Sequence, residues 1–201
     1  ERYNDPEKRV YNCRLAKDDY LTPQLLNTII YGAAQARGDL PPENSISYEI
    51  RIRPNGLPEI RTANISTDSG LADLVREAVA PTNLLLNNPY RKIEIESIDL
   101  QVKLNRKSLA ASIRSFDVSR SRLKAGQTLE ATASIYSYRS GSRKLSWQVA
   151  IPENMPPGTY KLMAMGQDAY LRFASQAAPQ RFSGGSFDGI LTNIDNVLSA
   201  R

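Results

Sequence analysis

Between Gln101 and Trp147 the chain carries Lys103, Arg106, Lys107, Arg114, Arg120, Arg122, Lys124, Arg139, Arg143 and Lys144, opposed only by Asp117 and Glu130. Clustered guanidinium and ammonium groups hold carboxylates, phosphates or an anionic polysaccharide by charge-assisted hydrogen bonds. Arg120, Arg122, Lys124, Arg139, Arg143 and Lys144 are the candidate contacts for an anion or a partner. The competing reading is solvation, because exposed sheet faces carry charge and basic side chains guard strand edges. Tyr136, Tyr138 and Trp147 are interleaved with these cations, as stacking platforms can be. No nucleic-acid module frames them, so nucleic acid is not an expected partner. If Leu145, Trp147, Val149 and Ile151 share a face, Trp147 is a core residue, whereas a glycan-stacking role requires an exposed ring. Tyr160 and Tyr170 are open to the same two readings, with half-buried strand residues the more ordinary one.

Other chemistry is thinly supplied. The chain has no histidine, which removes Ser-His-Asp and Cys-His catalysis and the commonest zinc and iron ligands. Its single cysteine, Cys13, has no disulfide partner and is expected as a small buried strand residue. Asp18, Asp19 and Asp68 stand where turns or helix caps are expected, and such acids bond local amides. Asp18 and Asp19 with Asp39 lack the spacing of a calcium loop. Gly184-Gly185 has no lysine or preceding strand to make a phosphate cradle. No catalytic residue, cofactor or metal is therefore expected, and paired-carboxylate catalysis is the least favoured function.

These side chains need a scaffold, and the composition supports one: 41% hydrophobic and 23% charged residues are those of a folded chain. No stretch approaches the roughly 20 apolar residues that cross a bilayer. The sequence begins at Glu1, without an initiator Met or a leader, so a piece of a longer polypeptide is expected. Residues 8–17 read as a strand. TPQLLNTIIYGAAQARG reads as a helix with Thr22 as N-cap, Pro23 in the first turn and Gly38 at the C-terminal end. Alternation of Ile46, Tyr48, Ile50 and Ile52, then Pro-Asn-Gly, predicts a hairpin whose returning strand holds Ile60 and Ile65. Asp68 or Ser69 should cap a second helix, kinked or split at Pro81.

From Lys92 the pattern becomes strands only. In IEIESIDLQVKLN the phase slips between Ile95 and Ile98, which predicts a bulge. Further strands are expected in SLAASIRSFDVS, TLEATASIYSYRS, RKLSWQVAIP and TYKLMAMG, with turns at Lys124-Ala125-Gly126 and Ser140-Gly141-Ser142. Strands at this spacing suggest an immunoglobulin- or fibronectin-like sandwich. SQAAPQRFSGGS reads as loop, and FDGILTNIDNVLSAR as a helix burying Ile190, Leu191, Ile194, Val197 and Leu198. Between two of the strands, IPENMPPGTYKLMAMG reads as a joint, with Pro156 and Pro157 presetting φ and Gly158 taking a conformation closed to other residues.

The order RLAKDDYLTPQLLNTIIYGA, LLLNNPYR, IEIESIDLQVKL, LKAGQTLEATASIYSYR, IPENMPPGTYKLMAMGQ and SFDGILTNIDNVLSAR resembles the region that follows the catalytic part of large bacterial SpoIVB-like serine peptidase proteins. The resemblance covers nearly the whole chain. It implies that the catalytic serine and histidine lie upstream, in a trypsin-like barrel, and no residue of this sequence matches them. It also implies export, to a secreted or periplasmic location.

The expected fold class is α+β: an α/β segment over 1–92, an immunoglobulin-like β-sandwich over 93–175, and a linker with a C-terminal helix over 176–201. The expected function is a noncatalytic accessory region that packs on the upstream peptidase-like domain of the same polypeptide. The alternative is a module that binds a glycan or an anionic cell-surface polymer with its aromatics and basic strands.

Overall fold

The computed structural model describes residues 9–36, 38, 41–67, 70–137, 140–182 and 185–198. The elements are α1 (Leu21–Gln35), β1 (Ser45–Pro54), β2 (Ile60–Ser66), α2 (Leu71–Leu86), β3 (Ile95–Asn105), β4 (Ala111–Val118), β5 (Thr128–Ser137), β6 (Gly141–Ala150), α3 (Gln167–Ala177), a 3-10 turn (Pro179–Phe182) and α4 (Phe187–Leu198). The fold is mixed α+β with two antiparallel three-stranded sheets, β2-β1-β3 and β4-β5-β6. It divides into two compact units, Glu1–Ser108 with Phe173–Arg201, and Leu109–Arg172.

In the first unit the alternation of β1 sets everything else. Ile46, Tyr48, Ile50 and Ile52 all point inward and are buried, as period-2 patterning requires. They pack with Leu26 and Ile30 of α1, Leu74, Ala78 and Leu85 of α2, and Ile190, Ile194 and Leu198 of α4. The outward face is wet. Arg51 and Arg61 both pair with Glu49, and Arg53 pairs with Glu59 and Asp99. The hairpin turn falls at Gly56, whose φ of 70° is open to glycine at little cost. Between Arg53↔Ser97 and Pro54↔Ile95 the β1–β3 register shifts, leaving Glu96 as the extra residue. That is the bulge the phase slip predicts.

Several expectations change. Ile95–Asn105 is not the first strand of a second domain: it pairs with β1, and Ile98, Leu100 and Leu104 pack against the first unit's core. A sandwich takes two sheets, and the described residues of the second unit supply one, β4-β5-β6. TYKLMAMG forms no strand; Tyr160, Leu162 and Met163 are all exposed, so it has no buried face to hold a register. Residues 9–17 form no strand either: no described strand pairs with them, and apart from Leu15 they are exposed, so they have no buried face to hold a register. Val10 is 68% exposed and Cys13 is exposed, not buried.

The helix ends also differ in detail. Thr22 lies inside α1, and its hydroxyl donates to the Ala16 carbonyl. The first-turn donors of Tyr20 and Leu21 are instead taken by the Asp18 carboxylate at 2.9 and 2.7 Å. Gly38, at φ 95°, donates its N–H to the Gln35 carbonyl beyond the helix end. α2 runs unsplit through Pro81, which removes only its own ladder donor. Burial of Leu74 and Ala78 before it and of Thr82 and Leu85 after it holds the helix on either side. The proposed cap at Asp68 or Ser69 lies outside the described residues. Helix α3 was not anticipated, and α4 buries Ile190, Ile194 and Leu198 but leaves Val197 exposed.

In the 151–166 joint, Tyr160 donates to the Pro156 carbonyl at 2.9 Å. Gly158 is not among the glycines with positive φ, so its freedom is not what closes the turn. The left-handed position is Gly126, at φ 79°, whose N–H donates to the Ile151 carbonyl.

Candidate functional site

The β4-β5-β6 sheet carries the candidate basic residues, and its register decides whether they converge. Arg120, Arg122 and Lys124 lie in the β4–β5 connection, beside the end where Thr128 pairs with Ala150. Arg143 and Lys144 lie on β6 opposite Ile135 and Ser134. About seven residues of strand, ~23 Å, separate the two groups. They form two basic ends and not one patch. Arg143 and Lys144 are neighbours in sequence and so point to opposite faces. Arg139, with Tyr138, lies outside the described residues.

The strands sort their side chains sharply. On β5, Leu129, Ala131 and Ala133 are buried, while Glu130 and Tyr136 are exposed. Directly paired residues share a face, so Val149, Trp147, Leu145 and Arg143 of β6 lie with Leu129, Ala131, Ala133 and Ile135. On β4 the register shifts between Ile113 and Ser115, leaving Arg114 as an extra residue. This bulge brings Ile113, Phe116 and Val118 onto the apolar face despite their uneven spacing. The opposite face holds Ser112, Ser115, Asp117, Glu130, Thr132, Ser134, Lys144, Ser146 and Gln148, and there the Arg114 guanidinium lies 4.9 Å from the centre of the Tyr136 ring.

At the middle of the apolar face stand two rings. Phe116 pairs with Ala133 and Trp147 with Ala131, and their centroids are 6.0 Å apart at an interplanar angle of 27°. Their strands flank β5 and are two strand spacings, ~9.6 Å, apart. The rings meet only because both central positions are alanine, over which each ring leans. Ala131 is fully buried by this cover, yet Trp147 itself is 42% exposed, and Ile113, Val118 and Leu145 are similarly open. Leu145, Trp147 and Val149 thus share a face as expected. Trp147 is nevertheless not a core tryptophan, since no second sheet of the unit lies over it among the described residues. Phe116 was missed as a site residue; its odd spacing from Ile113 hid it, and only the bulge makes them neighbours.

The first unit offers two further places. Between β2 and α2, Glu77 is buried and accepts from the Asn64 amide at 2.7 Å, while Asp73 accepts from Ser66 and pairs with Arg76. Burial, and then the nearby Glu77 carboxylate, push the Tyr48 phenol above its ordinary range. The cluster holds α2 on the sheet. The other place is an open hollow of about 310 Å³ lined by Asp19 and the turn from Asn88 to Lys92. The Asn88 side chain there donates to the Leu85 and Arg91 carbonyls and accepts from the Tyr90 and Arg91 amides, so it builds the turn. The Arg91 guanidinium stacks on Phe187 at 3.8 Å. Asp19 is the hollow's one acidic residue, which gives no opposed carboxylate pair. Among the described residues no group of three or more His, Cys, Asp or Glu is placed to hold a metal ion. No described helix is long and apolar enough to cross a membrane.

Comparison with known proteins finds no match to this chain among family models, curated proteins or solved structures.

Proposed function

We propose that this chain is a noncatalytic accessory region that packs on a protein partner through the apolar face of β4-β5-β6. On the resemblance in its motifs, the partner is the upstream peptidase-like domain of an exported SpoIVB-like protein. The observation that carries the docking reading is the surroundings of Trp147. Its neighbours on that face are Leu145, Val149, Ala131 and Phe116, all apolar. A half-open apolar surface with an aromatic centre suits a protein interface. Glycan binding, the alternative, draws support from the exposure of Trp147. A sugar site needs polar side chains around its aromatic ring to take hydroxyl hydrogen bonds, and Arg143 is the one long polar side chain the strands place on this face. The absence of histidine from the sequence supports the noncatalytic part.

The test is a titration of the chain with the peptidase-like region encoded upstream of it, followed by amide hydrogen exchange. Slowed exchange in β4, β5 and β6, lost in Leu145→Arg, is the expected result. A complex that leaves these strands unchanged, or no complex at all, refutes the reading. Substrate turnover by the isolated chain refutes the noncatalytic part.

A further inference from the structure

Charge on the same sheet says what kind of protein surface would fit. The second unit, Leu109–Arg172, holds nine Lys and Arg against four Asp and Glu, whereas the rest of the chain holds seventeen of each. The whole formal net charge of +5 therefore belongs to this unit. Within its strands the two acids, Asp117 and Glu130, both lie on the polar face. The apolar face holds neither. It carries Arg143 at one end, and the connection bearing Arg120, Arg122 and Lys124 lies at the sheet's other end, where those three cations outnumber the one acid beside Gly126, Glu153.

Resting on the docking reading above, we infer that the occupant of this face is an acidic segment of a protein partner, apolar at its centre and bearing carboxylates at both ends. Charge complementarity sets the ends, and the ~23 Å between the basic groups corresponds to about seven residues of extended chain. The face measures roughly 14 Å by 26 Å, less than half the ~800 Å² per partner of a standard interface. That footprint suits a single projecting segment of the partner. A second copy of the chain fits poorly, because it would bring another unit of the same charge against the first.

Trp147, the chain's only tryptophan, sits at the centre of the face and reports directly on its occupation. The probes are blocked synthetic peptides of about ten residues, alternating valine and threonine at the centre and ending in glutamate, glutamine or lysine pairs. The expected result is a saturable change in Trp147 emission, with the glutamate-ended peptide binding about tenfold tighter than the glutamine-ended one. Added salt should shrink that preference, and the double variant Arg122→Glu, Arg143→Glu should reverse it toward the lysine-ended peptide. Equal binding of the glutamate and glutamine peptides overturns the acidic segment while leaving the docking face standing. No saturable change with any peptide overturns the inference, while the docking reading is decided by its own titration with the peptidase-like region. An emission shift with vesicles of anionic phospholipid but with none of the peptides makes the occupant a membrane surface, and self-association lost in Leu145→Arg makes it a second copy; either overturns the inference.

Discussion

Replacing Ala131 with leucine tests the alanine floor beneath the aromatic pair. Ala131 is fully buried, pairs directly with Trp147, and leaves room for two rings on strands ~9.6 Å apart to approach to 6.0 Å. A leucine side chain there occupies the space into which both rings lean. Overpacking a closed site costs about 1–3 kcal/mol. Separating the rings forfeits a further ~0.5–1.5 kcal/mol of aromatic pairing. The expected loss is therefore about 1.5–4.5 kcal/mol. A unit of this size has a total stability of only several kcal/mol at ~0.05–0.15 kcal/mol per residue. The assay is urea denaturation read by Trp147 emission, with near-ultraviolet circular dichroism reporting the coupled rings in the native state. Ala131→Leu should lower the midpoint and weaken the aromatic dichroism together. Unchanged stability with the dichroism intact would show that the rings do not depend on the small residue, and the account of this face would fail.

Three other outcomes follow from the first unit. Ile52→Ala should cost about 2–5 kcal/mol in urea denaturation, because Ile52 is fully buried. Ile65→Ala, on the outward phase of β2, should stay within ~0.5 kcal/mol; equal effects would refute the assigned register. Hydrogen bonds from Arg51, and also from Arg61, hold the Glu49 carboxyl below its ordinary range. Its stabilising effect is thus present above the unfolded-state value and lost as pH falls through the depressed folded one. Carboxyl resonance titration should show that midpoint moving up in Arg51→Gln; an unmoved midpoint contradicts the pairing. For Tyr48 the sign is opposite: its raised value favours the neutral phenol, so its contribution is full below the unfolded-state value and is lost as pH rises through the folded one. Phenolate absorbance should show one tyrosine ionising only as the chain unfolds in base, and complete titration of every tyrosine in folded protein would contradict its burial.

How much was legible followed from how local the signal was. The alternation of Ile46, Tyr48, Ile50 and Ile52, the Asn55-Gly56 turn and the slip before Ile98 each lie within a few residues, and each appears in the fold. Partner choice is a long-range property, so the pairing of β3 with β1 across α2 could not be read from β3 alone. The same gap explains residues 9–17 and 159–166, which have apolar content but no neighbouring strand. Helix α3 carries a first-turn acid, Asp168, yet it starts directly after an expected strand that ends at Gly166, and its last residues fall in SQAAPQRFSGGS, whose composition reads as loop. At the site, composition announced the basic residues, but only register shows that Arg122 and Arg143 stand at opposite ends of the sheet. Trp147 was placed on the correct face and given the wrong exposure, because alternation reveals which side a residue takes and not whether anything covers it.

The additional residue in β4 has a consequence for how this chain can change its length. Elsewhere in the strand, dropping one residue would turn everything beyond it over, sending apolar groups into water and serines inward. Arg114 alone sits outside the count: Ile113 already pairs with Ile135 and Ser115 with Ser134, so excising it leaves two adjacent positions facing two adjacent positions. Such a deletion would keep Phe116 beside Trp147 and forfeit only the local twist and the cation over Tyr136. Among single-residue losses in β4, it is the one this sheet is built to survive.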